Sequence, residues 1–157
     1  MSNSFTSTDR AVAATHTWLT PISLIQSLGE FDLDPCAYPG HPTAKKLICL
    51  PEDGLATDWK GRVWLNPPYG EHARVWLNRL REHGNGIALV FARLETKWLQ
   101  PVIRESGVFC MRGRVQFLKP DGTPGQNSAG TGSVLIPFGR KNVGAILSSD
   151  IEGEWFQ

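Results

Sequence analysis

With 157 residues the chain has room for one domain with a sizeable core, but not for a catalytic domain joined to a large second one. Its composition, 41% hydrophobic and 20% charged, is that of a soluble globular protein, and a net charge of +1 gives no global sign of a polyanion partner. No apolar stretch is long enough to span a bilayer and no basic start runs into an apolar segment, which predicts a cytoplasmic chain with no membrane partner.

The charge is nonetheless uneven. Residues 1–78 hold 6 Lys and Arg against 8 Asp and Glu, whereas residues 79–157 hold 10 against 7, so contacts to a polyanion are expected mostly from the second half. Cys36, Cys49 and Cys110 are odd in number and lack CxxC spacing, and His16, His41, His72 and His83 form no HExxH or HxH pattern. Reduced structural thiols and no metal site are the expectation.

Residues 1–17 are small and polar, with only Ala11–Ala14 favouring a helical turn, which predicts a partly ordered tail before a single domain over 18–157. Thr20-Pro21 reads as a helix start, the hydroxyl capping and the proline at the first helical position. Ile22, Ile25 and Leu28 then recur at helical spacing until Gly29. Phe31–Pro35 reads as a strand entering a tight loop, Cys36–Pro42, with further strands at Leu47–Leu50 and Arg62–Leu65. Between Glu71 and His83, Ala73, Trp76, Leu77 and Leu80 make one face of an amphipathic helix that Gly84 can end. Ile87–Ala92 is continuously apolar, as a strand buried on both faces is, and a helix over Glu95–Glu105 is expected to bend at Pro101. Val108–Met111, Val115–Leu118, Val134–Phe138 and Val143–Leu147 read as strands, with Lys119–Gly132 a long, polar, Gly-rich loop. Strand–helix alternation followed by a β-rich C-terminal part predicts an α/β sheet with helices on both faces.

Asn66-Pro67-Pro68-Tyr69 follows the apolar run Val63-Trp64-Leu65, at the point where a buried strand would end. Each proline fixes its own φ and holds the residue before it extended, so the segment is rigid before any ligand arrives. An exocyclic amine on a base carries two N–H donors and a lone pair delocalised into the ring. The Asn66 side-chain oxygen and the Pro67 carbonyl could each accept one N–H, drawing the nitrogen toward tetrahedral geometry, while Tyr69 stacks on the ring. This is catalysis by positioning and placed acceptors, with no strong general base. Pro-Pro-Tyr alone would equally suit a stiff turn capped by a packing Tyr.

In open α/β sheets ligands bind outside the carboxyl ends of the strands. Three predicted strands end there in unusual residues: Asp34-Pro35-Cys36-Ala37 with Gly40 beyond, Asp53-Gly54, and Asn66–Tyr69. An acid at the first suits an ammonium group, and one at the second suits a ribose hydroxyl or an adenine amine. Alone, Asp34 could be a helix cap and Asp53-Gly54 a plain turn. In this order they describe a cofactor pocket beside a base pocket.

With these pieces, joined by Trp18-Leu19-Thr20-Pro21, Trp59 and Gly113-Arg114-Val115-Gln116-Phe117, the chain resembles the DNA adenine-specific methyltransferases, most closely the short phage-type Dam family. The resemblance covers about Trp18 to Phe138. It implies a compact Rossmann-like methyltransferase sheet, S-adenosylmethionine as cofactor, and DNA as partner. Carried over residue by residue, it places Trp18, Thr20 and Pro21 at the cofactor's carboxylate end, Asp34, Pro35, Cys36 and Ala37 at its methionine moiety, and Asp53 at its adenine or ribose. Asn66, Pro67, Pro68 and Tyr69 would hold the target adenine, flipped from the duplex because a stacked base cannot reach such a pocket. Larger relatives have a Gly-rich loop with a full helix after the first strand, and a target-recognition domain; here only a few residues separate Cys36 from the next strand.

Arg93, Lys97, Arg104, Arg112, Arg114 and Lys119 stand against only Glu95 and Glu105 between Arg93 and Lys119. Of these Arg93, Lys97 and Arg114 are the preferred phosphate contacts, although a solvated basic face reads the same. The Asn-Pro-Pro-Tyr element also leaves open amine methylation of RNA guanine, DNA cytosine or protein glutamine, and a catalytically silent nucleic-acid-binding module. Specificity could reside in the Lys119–Gly132 loop or in a homodimer, or be loose, and the sequence leaves open a host-genome marking role, as in restriction-modification, or one that shields a phage genome against restriction.

Overall fold

The computed structural model describes residues 18–125 and 131–157, so the expected tail over 1–17 and residues 126–130 of the Gly-rich loop lie outside the described residues. Seven strands, β1 (Leu33–Asp34), β2 (Lys46–Leu47), β3 (Val63–Leu65), β4 (Gly86–Phe91), β5 (Val108–Met111), β6 (Ser133–Phe138) and β7 (Gly153–Phe156), form one sheet in the order β2-β1-β3-β4-β6-β5-β7. β2, β1, β3 and β4 pair in parallel. β6 runs against both β4 and β5, and β7 against β5, so β5 points the same way as β1–β4. The chain passes from β1 outward to β2 and then returns to β1's other side for β3. The strand order therefore reverses at β1, and a crevice is expected outside the carboxyl ends of β1 and β3.

Alternation along the strands decides which helix covers which face. Val63, Leu65, Ala88, Val90, Val134 and Ile136 pack with Trp76, Leu77 and Leu80 of α2 (Glu71–His83) and with Leu99 and Val102 of α3 (Leu99–Ser106). Trp64, Ile87, Leu89 and Leu135 point to the opposite face, where Ile25 of α1 (Ile22–Ser27), Leu28, Phe31 and Ile146 of α4 (Arg140–Leu147) cover them. Each side chain of this size contributes roughly 1.5–3 kcal/mol when fully buried. The two layers rather than any single contact thus hold the sheet. α2 stops at Gly84, whose φ of 77° lets its N–H return to the Leu80 carbonyl at 2.9 Å.

Several expectations are corrected. Val143–Leu147 is helical: Gly139, at φ 92°, turns the chain out of β6, and the buried residues Asn142 and Ile146 stand four apart on α4. A short apolar run of this kind fits either period. The Asn142 amide donates to the Phe138 carbonyl at 2.7 Å and to Asn85 Oδ1 at 3.0 Å and accepts from Arg62 Nε at 2.6 Å, bracing the end of the sheet remote from the crevice. β7 is a further strand that alternation too short to stand out had hidden; Glu154 and Phe156 face outward. Val115–Leu118 is not a ladder strand, since Leu118 makes only single bridges, to Leu19 and Pro124. α3 begins at Leu99, so Pro101 sits in its first turn, where the missing N–H has no helical acceptor to lose. Finally α1 begins at Ile22 with Pro21 as its cap residue and no side-chain cap, so the Thr20 hydroxyl is not a helix cap.

Candidate active site

Asn66 follows the last residue of β3, at the carboxyl end where the crevice is expected, and Pro67 after it is buried. The Asn66 amide is held at its nitrogen: Nδ2 donates to Thr20 Oγ1 at 3.1 Å and to the Trp18 carbonyl at 3.4 Å. A carbonyl only accepts, so this pairing identifies Nδ2 and leaves Oδ1 as the opposite, accepting end of the amide. Trp18–Thr20 is itself a strap across the strand ends. Leu19 exchanges two backbone hydrogen bonds with Leu118, at 2.8 and 2.9 Å, and the Thr20 carbonyl accepts from His41 Nε2 at 2.7 Å. That bond places the His41 proton on Nε2. The strap thus joins the loop after β1, the loop after β5 and Asn66.

Tyr69 lies with its ring parallel to Phe91, the last residue of β4, at 4.0 Å between centroids and 14° between planes. Its hydroxyl is buried with no hydrogen-bond partner among the described residues, and burial pushes it up to about 12, so it stays neutral. A spacing of 4.0 Å leaves no room for a base between the rings, so any base stacked on Tyr69 must lie on the face away from Phe91. Gly70 follows at φ 84° and starts α2.

Asp34 ends β1 and is buried, only 3% exposed. Its Oδ1 accepts the Cys36 N–H at 3.0 Å and its Oδ2 accepts the Thr43 hydroxyl, so the carboxylate binds the two ends of its own loop together. Burial raises its titration from 3.8 to about 6, against the two hydrogen bonds, which pull the other way. Ala37 N–H bonds to the Ile48 carbonyl at 3.0 Å, tying this loop to the chain leaving β2. Asp53 is exposed and folds its own turn, Oδ1 accepting the Leu55 N–H at 3.0 Å. Gly54 beside it touches the first loop so closely that a Cβ there would overlap the Pro35 carbonyl oxygen, and its own carbonyl accepts from Trp59 Nε1 at 2.8 Å. The two acidic loops are therefore one packed unit.

Arg93 and Lys97 leave the sheet after β4 and Arg114 after β5, all exposed and all on the carboxyl-end side that carries Asn66. Arg93 is in an exposed ion pair with Glu95 at 2.7 Å. The fold thus brings Trp18, Thr20 and Asn66 into contact, and Asp34, Pro35, Cys36 and Ala37 into a loop packed on Gly54. Asp53, next to Gly54 in that unit, stays exposed. His41, Thr43 and Phe91 are the residues sequence reasoning did not single out. Phe91 alone had a signal, as an aromatic closing the apolar run before Ala92.

The donor set suits a zwitterionic nucleoside sulfonium: a buried acid at one loop, an exposed acid at the next, and a hydroxyl at the strap. Among the described residues no cluster of His, Cys, Asp or Glu is arranged to hold a metal ion, and no helix is long and apolar enough to cross a membrane. No curated protein and no solved structure matches the chain. A family model described as DNA N-6-adenine-methyltransferase (Dam) does match, over residues 7–157, and the chain, with its strand order reversing at β1, belongs to that family, whose members methylate the N6 amine of adenine in DNA.

Proposed function

We propose that Asn66 Oδ1 and the Pro67 carbonyl accept the two N–H bonds of an adenine flipped out of duplex DNA, with the ring stacked on the free face of Tyr69 and Phe91 as backing. Two acceptors aimed at one amine draw its nitrogen out of conjugation and direct its lone pair. The observation that carries this reading is the orientation of the Asn66 amide, whose NH2 is occupied by Thr20 and Trp18, which leaves Oδ1 as its accepting end.

S-adenosylmethionine, when bound, supplies an electrophilic methyl group on sulfur. Trp18, Thr20 and Pro21 hold its carboxylate end, the Asp34–Ala37 loop its ammonium end, and Asp53 its ribose or adenine. Tyr69 and Phe91 exclude water from one side of the base. The proton displaced from the amine passes to solvent, since neither amide oxygen nor neutral phenol is a base. Arg93, Lys97 and Arg114 contact phosphates, and the Lys119–Gly132 loop or a second copy of the chain supplies sequence preference. The chain acts as a single domain over 18–157 on DNA in the bacterial cytoplasm, either marking a host genome or shielding a phage genome against restriction.

The test is transfer of labelled methyl from S-adenosylmethionine to unmethylated DNA, with the nucleosides then identified. N6-methyladenine is expected, and Asn66→Ala should lower transfer about 10²–10³-fold while leaving cofactor affinity unchanged. DNA binding without transfer would mark a silent module, and equal loss of cofactor affinity in Asn66→Ala would move that residue into the cofactor pocket.

A further inference from the structure

We infer that the Thr20 hydroxyl is a positioning group for the Asn66 amide, a role distinct from any contact it makes with the cofactor; the inference rests on the reading of Asn66 given above. Thr20 is 2% exposed, and its Oγ1 receives Nδ2 at 3.1 Å, the shorter of the two bonds that hold the amide. Asn66 and Thr20 stand 46 residues apart in sequence, so the contact is made by the fold and not by a local turn.

The two acceptors divide the task. A primary amide can turn over by 180° and exchange Oδ1 with Nδ2. Turned over, Asn66 would set Oδ1 against the Trp18 carbonyl, lone pair against lone pair, and would offer N–H groups to an amine that itself needs acceptors. The Trp18 carbonyl therefore decides the sense of the amide, but at 3.4 Å it holds it weakly. The hydroxyl supplies the stronger hold. Donating Nδ2–H to Thr20 also polarises the amide and makes Oδ1 a better acceptor. A hydroxyl has one proton and two acceptor lone pairs, so receiving Nδ2–H leaves the Thr20 proton for another partner. The strap keeps Thr20 itself in place, through the Leu19–Leu118 backbone pair and the bond from His41 to the Thr20 carbonyl.

Thr20→Val keeps the shape and removes the acceptor; Thr20→Ser keeps the acceptor. With cofactor and DNA saturating, Thr20→Val should lower kcat about tenfold, the worth of one hydrogen bond plus a poorly paired buried amide. Thr20→Ser should recover to within about threefold of the parent, and because cofactor and DNA are both saturating, neither effect is one of cofactor affinity. In an Asn66→Ala background the further loss from Thr20→Val should vanish, as it must when one residue acts through the other. An intact kcat in Thr20→Val, whatever its cofactor Kd, or an undiminished loss in the Asn66→Ala background, overturns the inference. Should Thr20→Val fail to fold, the Asn66 side-chain NH2 resonances of the parent protein decide: two distinct, exchange-protected protons support the bond, and rapid averaging with solvent overturns it. If the parent protein transfers no methyl to DNA, the site assignment falls; if it transfers, and Asn66→Ala abolishes transfer while Thr20→Val matches the parent, only the positioning role falls.

Discussion

Asp34→Asn replaces a buried carboxylate by an isosteric amide, and its effect on stability can be worked out from the site. In the folded protein Asp34 keeps its proton up to about pH 6, whereas its ordinary value is 3.8. Between those values the folded state binds more protons than the unfolded chain, so stability falls as pH rises through that window. A displacement from 3.8 to about 6, at about 1.4 kcal/mol per pH unit, comes to about 3 kcal/mol. The fully ionised side chain therefore costs the fold about that much at neutral pH, relative to the protonated one. The asparagine side chain can keep both present bonds, Oδ1 receiving the Cys36 N–H and Nδ2 donating to Thr43 Oγ1, without burying a charge. Urea denaturation of parent and variant from about pH 4 to pH 7 measures the difference directly, because every other titrating group cancels. The variant should gain on the parent by up to about 3 kcal/mol across this range, with the m-value unchanged. A difference that is flat with pH, or that narrows as pH rises, would refute the reasoning. The same variant probes function, since a cofactor ammonium attracted by ionised Asp34 predicts weaker cofactor binding in the more stable protein.

Tyr69→Phe should fold at least as well as the parent, because it removes a buried hydroxyl with no partner among the described residues, and methyl transfer should stay within several-fold. Tyr69→Ala should lose the stack on Phe91 and most of kcat, so equal activity of the two variants would deny Tyr69 a stacking role. Gly54→Ala forces a Cβ onto the Pro35 carbonyl oxygen, which is backbone and cannot swing aside; thermal denaturation should show a loss of about 3 kcal/mol or more, and a near-neutral result would mean the two acidic loops are not packed together. Arg93→Ala with Lys97→Ala should weaken DNA binding and flatten its dependence on salt, and a slope unchanged in the double variant would remove both from the interface.

What the sequence displayed most clearly is what short-range rules govern. The amphipathic face of α2, its stop at Gly84 and the proline-stiffened exit from β3 depend on neighbours a few residues away, and each stands where its pattern placed it. α4 and β7 were misplaced or missed because Val143–Leu147 and Gly153–Phe156 are too short for their period to be decisive. Their state is set by partners far along the chain, Asn85 and Arg62 for Asn142 and the edge of β5 for β7.

The same division runs through the site. Asn66 could be singled out because two prolines beside it make its rigidity a local property. Thr20 was assigned to a helix start because a hydroxyl before a proline satisfies the local capping rule; its actual partner is Asn66, and only the sheet brings the two together. Asp34 looked like a charge offered to a ligand, whereas the fold buries it under Thr43 and raises its titration, so it shapes the loop as well as charging it. A one-dimensional pattern names the groups that carry chemistry but not the groups that aim them. Aiming is a long-range property. The strap from Trp18 to Thr20 touches the loops after β1 and β5 as well as Asn66, so a shift in the loop after β5 reaches the strap through two backbone hydrogen bonds, one in the loop after β1 through the His41 side chain, and either reaches the amide through the Thr20 hydroxyl. If Asn66 acts as proposed, with placed acceptors and no general base, that short connection is where its catalytic precision would be set.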